Sequence, residues 1–202
     1  MRKILAFLVF VCITIFLVEC GGEDEVEHSY YPLNIGNEWN YEVTMTVEIP
    51  GTSYNFTGAS QDQITGTTQL TGGASVFQFA TALTLNGFSG NDTFYIHETD
   101  TAVYLYEDVD DTLPDKYLEF PLAVGNTWTV NATQSAQVLG SVDISVPAGD
   151  YSDCWEIAYT EGEDTILVYL AYGVGEVKGY AVSNFADTTV TLSLELESTT
   201  IQ

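Results

Sequence analysis

The chain of 202 residues carries 29 acidic against 4 basic side chains, a formal net charge of −25, and 46% of it is apolar. Its length suits one domain with an ample core, and its acidity excludes nucleic acid and phosphate ligands, which are held by Lys and Arg. Anionic lipid surfaces are excluded by the same sign of charge, and three cysteines are too few for a disulfide scaffold.

The first element is a leader. Arg2 and Lys3 precede an apolar run from Ile4 to Val18 that only Thr14 interrupts. That run falls short of the ~20 apolar residues of a membrane span and fits a secretory signal. Leu17-Val18-Glu19-Cys20 resembles a bacterial lipobox at Leu17, Val18 and Cys20 and departs from it at Glu19, where Gly, Ala or Ser is usual. The expectation is a signal peptide over 1–19 and a lipidated Cys20 that anchors the protein to the outer membrane. Cleavage after Gly22 and an uncleaved anchor are the alternatives. Past residue 19 the basic residues are Lys116 and Lys178, and there is no arginine. Residues 20–29 form an acidic tether, in which Glu23, Asp24 and Glu25 are either a surface-export signal or a plain solvated linker.

From residue 30 onward the pattern predicts an all-β domain of antiparallel strands, with no helix beyond the leader. In "EWNYEVTMTVEI" Trp39, Tyr41, Val43, Met45, Val47 and Ile49 alternate with polar residues, the period of a half-buried strand. Val190, Leu192, Leu194 and Leu196 do the same near the C-terminus. Further β runs are expected at 75–86, 93–97, 102–107, 127–146, 154–159 and 165–172, separated by Gly, Asn-Asp and Asp-Asp turns. About ten strands imply a curved sheet, a barrel or a sandwich. The sequons at Asn55, Asn91 and Asn131 read as surface turns and strands.

One internal echo divides this domain. "YPLNIGNEWNY" at 31–41 returns as "FPLAVGNTWTV" at 120–130, giving two pseudo-repeated halves, 31–119 and 120–202. In each copy Pro32 or Pro121 starts a strand edge, Gly36 or Gly125 makes the turn, and Trp39 or Trp128 anchors the next strand in the core. A Trp-lined ligand face is the functional alternative.

With "VPAGDYSDCWEI" at 146–157 and "LAYGVGEVKGY" at 170–180 added, the sequence resembles a group of uncharacterised bacterial exported lipoproteins. Their pattern runs Pro-Leu-x-x-Gly-x-x-Trp, Val-Pro-Ala-Gly-(Thr/Asp)-(Phe/Tyr) and Gly-Val-Gly-x-Val-Lys. The resemblance implies an all-β exported domain with no catalytic residues to transfer. Pro147 and Gly149 then belong to a turn, and Gly173 and Gly175 to a backbone bend.

Little catalytic chemistry is legible. Two histidines, His28 and His97, cannot assemble an ordinary Zn site. "GFSG" at 87–90 is an incomplete nucleophile elbow, no phosphate loop occurs, and Cys154 reads as a small buried hydrophobe. Acids are so abundant that no chosen carboxylate pair stands out. Asp108, Asp110, Asp111 and Asp115 cluster on "EDVDDTLPD" as hard oxygen ligands that suit Ca²⁺, with a solvated hairpin loop as the rival. The expectation is a non-enzymatic, lipid-anchored binding or structural module without an obligate cofactor, meeting an envelope protein, glycan or lipid. The alternative is a carrier or chaperone whose sheet, lined by Phe77, Phe79, Leu83, Leu85, Tyr104 and Tyr106, holds an apolar ligand.

Overall fold

A computed structural model describes residues 30–202, so the leader, Cys20 and the tether lie outside the described residues. Strand β1 (Glu38–Ile49) turns back into β2 (Thr52–Gln69), and β3 (Ser75–Leu85), β4 (Phe88–Thr99), β5 (Ala102–Tyr106) and β6 (Asp115–Glu119) continue the meander. The second half repeats it with β7 (Thr127–Thr129), β8 (Gln134–Val146), β9 (Gly149–Glu161), β10 (Asp164–Ala171), β11 (Gly175–Phe185) and β12 (Thr188–Thr200). All pairings are antiparallel, and β12 joins β1, so the two six-stranded meanders make one twelve-stranded sheet.

The sheet nearly closes on itself. Lys116 N donates to Val130 O at 3.0 Å across the seam between β6 and the end of β7, and Asn131 Nδ2 donates to Asp115 at 3.1 Å. A second tie runs from the β8–β9 turn, where Ala148 N donates to Leu196 O at 2.9 Å. A bulge between Asn40 and Tyr41 in the β1–β12 ladder lies beside this carbonyl. Pro147 and Gly149 therefore sit in a turn that fastens one wall of the barrel to the other. The all-β architecture is as expected, with no helix among the described residues, and the open choice among curved sheet, barrel and sandwich falls to a nearly closed barrel.

The repeated motifs build the same turn twice. Gly36 N donates to Ile64 O and Gly125 N to Val138 O, at 2.8 and 2.9 Å. Asn37 and Asn126 donate back to the prolyl carbonyls of Pro32 and Pro121. Both glycines need a positive φ, 93° and 88°, which side chains with a Cβ resist. Each tryptophan then reaches into the other half. Trp39 Nε1 donates to Val174 O at 2.6 Å, and Trp128 Nε1 to Lys116 O at 3.0 Å.

Two expectations need correction. The single run at 127–146 is broken into β7 and β8, because Asn131 Oδ1 accepts from the backbone of Thr133 and Gln134 and turns the chain. Among the described residues twelve strands replace about ten, since β2, β6 and β11 are absent from the expected runs.

The core fills the half of the barrel nearest the motif turns: Trp39, Ile64, Phe79, Leu118, Ile157, Leu170 and Leu196 are buried there. Toward the tips of the β1–β2 and β3–β4 hairpins the same inward face loses cover. Met45, Val47 and Phe56 are half-buried, while Ile49, Tyr54, Leu83 and Phe88 are exposed. In that region Gly58 lies against β3 so closely that an added Cβ would meet Thr84 O at 1.9 Å. Gly58→Ala is expected to destabilise by about 1–3 kcal/mol, as overpacking does. Gly66→Ala, with open space around it, should stay within about 0.5 kcal/mol. Urea midpoints of the two variants would check this.

Candidate functional site

A small, partly enclosed cavity of about 190 Å³ remains inside the filled half. The alternation of β1 turns Trp39 and Tyr41 toward it, β3 and β4 supply Phe79 and Phe94, and Tyr117 comes from β6. The rings stack in runs: Trp39–Phe79 and Phe79–Phe94 at 5.9 and 5.0 Å, and Tyr117–Tyr159 at 5.4 Å. Tyr31 meets Tyr117 edge-on at 5.8 Å.

Two carboxylates enter this aromatic lining, Asp62 from β2 and Glu176 from β11. Simple alternation would place Glu176 on the same face as Lys178. A bulge between Tyr169 and Leu170 in the β10–β11 ladder, opposite Glu176–Lys178, changes the register. Glu176 and Val177 then both turn inward, while Lys178 pairs with Glu195 at 2.6 Å. Re-aiming a side chain is what a bulge does. Gly179 leaves the room: a Cβ there would stand 2.6 Å from Glu176 Oε1.

The hydrogen bonds link the groups into a network. Tyr31 OH donates to Tyr117 OH and Tyr117 OH to Glu176 Oε2, each at 3.3 Å. Tyr41 OH donates to the Glu176 carbonyl at 3.1 Å, and Thr81 Oγ1 to Asp62 Oδ1 at 2.7 Å. Burial pushes the Glu176 carboxyl up to about 7, and the nearby Asp62 charge adds to the rise. Burial raises Asp62 as well, against the lowering effect of Thr81. Tyr31, Tyr41, Tyr117 and Tyr159 are held well above the usual phenol range, burial again being the largest cause.

The cavity shares Tyr31 and Ile96 with a wider cleft of about 830 Å³ at the same end of the barrel. Pro32, Leu33, Phe77, Tyr172 and Gln202 line that cleft together with His97, Glu98 and Asp100. Desolvation raises the Glu98 carboxyl to about 7, and His97 Nδ1 lies 3.1 Å from Ser75 O.

The residues singled out in the sequence fall into groups. Trp39 lines the cavity, whereas Trp128 packs edge-on against Tyr159. Gly173 and Gly175 flank the Val174 carbonyl that receives Trp39, and Gly175 lies against that indole. Cys154 is free and buried, with its thiol raised by burial. The four aspartates of the acidic loop are engaged locally. Asp111 accepts from Glu107 N and Asp108 N, Asp108 from Asp110 N, Asp110 from Thr71 and Asp115 from Asn131. Among the described residues no group of three or more His, Cys, Asp or Glu is placed to hold a metal ion. Phe77, Phe79, Leu83 and Leu85 share the inward face. Tyr104 and Tyr106 pair with His97 and Tyr95, so they lie on the outward face, opposite Leu105. Asp62, Glu176 and Glu98 had no signal in a sequence rich in acids.

No family model and no curated protein match the chain. Solved structures do. A Bacteroides fragilis protein described as exported, with a YmcC-like fold, superposes with a TM-score of 0.51 at 11% identity, covering 84% of this chain and 98% of that one. A Parabacteroides distasonis protein described as a lipoprotein gives a TM-score of 0.48 at 14% identity, over 85% and 98% of the two chains. The first shares the fold.

Proposed function

We propose that the protein is a non-catalytic, lipid-anchored binding module on the outer membrane of a bacterial cell, holding a small ligand in the cavity of its barrel. The cavity carries this reading: the filled half of the barrel keeps a partly enclosed space into which a few polar groups converge on aromatic walls, the usual make-up of a binding pocket. The leader and Cys20 supply the address, and the exported description of the Bacteroides fragilis protein agrees with it. The buried thiol of Cys154 and the backbone contact of His97 support a role without nucleophilic chemistry.

The carrier reading has its own support in the exposed inward face at Ile49, Tyr54, Leu83 and Phe88. The cavity is smaller than the ~300–1,000 Å³ of drug-sized ligands, so an acyl chain would have to lie on that outer stretch.

Native mass spectrometry of the membrane-extracted protein tests both readings. The expected species begins at an acylated Cys20, and Cys20→Ala is lost from the membrane fraction. An unmodified chain beginning at Glu23 would overturn the anchor. A lipid-sized companion that persists in the Cys20→Ala protein would replace the small-ligand module with the carrier.

A further inference from the structure

We propose that the barrel cavity is a site for a small organic cation, an amine or quaternary ammonium, held between the rings of Trp39, Phe79, Phe94 and Tyr117 and the carboxylates of Asp62 and Glu176. This names the ligand class of the binding module and rests on that reading.

The argument begins with charge. Two carboxylates share one desolvated space, and no basic side chain lines it. Both lysines among the described residues are ion-paired elsewhere, Lys116 with Glu119 and Lys178 with Glu195, each at 2.6 Å. Like charges in a low-dielectric interior repel far more strongly than in water, so the cavity lacks a positive partner. The groups that face Glu176 are Asp62 from β2, Tyr41 from β1, Tyr117 from β6, Tyr159 from β9 and Tyr31 ahead of β1. Every tyrosine stays neutral across physiological pH, so none supplies the missing charge.

The walls complete the chemistry. An aromatic face attracts a cation within about 6 Å of its centroid, more so when both are desolvated. The lining supplies the rings of Tyr31, Trp39, Phe79, Phe94 and Tyr117, of which Phe79 is stacked on both Trp39 and Phe94, and Tyr117 on Tyr159. A cavity of about 190 Å³ admits a compact ammonium ion and excludes a large ligand. The carboxylates number two, and with no third His, Cys, Asp or Glu placed alongside, the donor set suits an organic cation better than a metal. The outer cleft, with Glu98 and Asp100, continues the negative potential to the surface, which raises the local concentration of cations.

Proton linkage gives the site a signature. A bound cation favours ionised Asp62 and Glu176, so binding releases protons near neutral pH and tightens as pH rises.

The test is calorimetric titration of the full chain with choline chloride, and with its uncharged isostere 3,3-dimethylbutan-1-ol, at pH 5.5 and 8. Choline should bind at least tenfold more tightly than the isostere at pH 8, and about tenfold more tightly at pH 8 than at pH 5.5. Glu176→Gln and Asp62→Asn should each weaken choline about tenfold, while Asp187→Asn, in the exposed β11–β12 turn, should leave it unchanged. Equal affinity for the isostere would overturn the proposal. So would an equal loss in Asp187→Asn, which marks diffuse attraction to an acidic surface, or no binding at all. Failure here with an acylated Cys20 would remove the cation alone; an unacylated chain would remove the anchored module beneath it.

Discussion

Glu176→Gln should raise the melting temperature of the ligand-free protein at pH 8 by roughly 5–10 °C and leave it unchanged at pH 4. The carboxyl of Glu176 rises from 4.5 to about 7 on folding, through burial first and the Asp62 charge second. The folded state therefore binds the proton more tightly than the unfolded chain does. Below pH 4.5 both states are protonated and Glu176 costs nothing. Between pH 4.5 and 7 the penalty grows, and above 7 it is complete, at about 2–3 kcal/mol for a carboxyl that borders a cavity. Gln keeps an oxygen for the Tyr117 hydroxyl and has no charge to desolvate, so the whole penalty disappears at high pH. In a domain of this size 1 kcal/mol moves the midpoint by about 2–4 °C. Thermal scans by circular dichroism at the two pH values, with Asp187→Asn as a measure of general charge repulsion, would decide it. A gain that is the same at pH 4 and pH 8 would show that Glu176 is not the group that titrates.

The second large effect falls on the motif tryptophans. Trp39→Ala should cost about 3–5 kcal/mol, as large-to-small changes of buried Trp and Phe do, against a typical total stability of about 5–15 kcal/mol. The residue is 2% exposed, stacks on Phe79 at 5.9 Å and holds the Val174 carbonyl of the other half. Trp39→Phe separates the two contributions. It keeps a ring against Phe79 but leaves the carbonyl unpaired, which should cost about 1–3 kcal/mol. Trp128→Ala should behave in the same way, because Trp128 makes the reciprocal bond to Lys116. Urea denaturation read by far-ultraviolet circular dichroism measures all three. A cost below 1 kcal/mol for both alanine variants would mean that the halves are not held by these residues.

Legibility in the sequence followed burial. β1 and β12 could be read because one face of each is polar and the other meets the core, which writes a period of two into the residues. β2 could not: past Phe56 its inward face carries Ser60 and Asp62 opposite Tyr41 and Trp39, so polar side chains occupy both faces along the stretch that meets the core. β7 is three residues long, too short to carry a period, and only its tryptophan is buried. The doubled proline–glycine–tryptophan motif was legible as a turn with an anchor, because glycine and tryptophan have narrow conformational and packing uses. The reach of Trp39 into the opposite half was not, since nothing in a local motif encodes a partner more than a hundred residues away, as Val174 is; Trp128 bonds Lys116, only 12 residues back, but across the boundary that the repeat itself draws. Glu176 was hidden by its bulge, which overrides the alternation that would have paired it with Lys178 on the outside. Asp62 lay in "SQDQITG", where no neighbour marks it as inward-facing. Tyr104 and Tyr106 alternate correctly with Val103 and Leu105, but alternation alone leaves open which set faces inward.

The contacts of Gln202 bear on which end of the barrel an anchor at Cys20 would hold. Gln202 N donates to Asn37 Oδ1 and Asn34 Nδ2 donates to Gln202 O, at 2.9 and 3.0 Å, so the residues after β12 return to the turn that precedes β1. The wider cleft is bordered by Tyr31, Asn34 and Gln202, whereas the tips at 50–51, 86–87 and 186–187 lie at the other end of the strands. Ten residues, as many as 20–29 hold, span at most about 35 Å when fully extended. Were Cys20 lipidated as proposed, the entrance would face the bilayer and the hairpins would turn outward, so any guest would have to come from the layer of solution next to the headgroups.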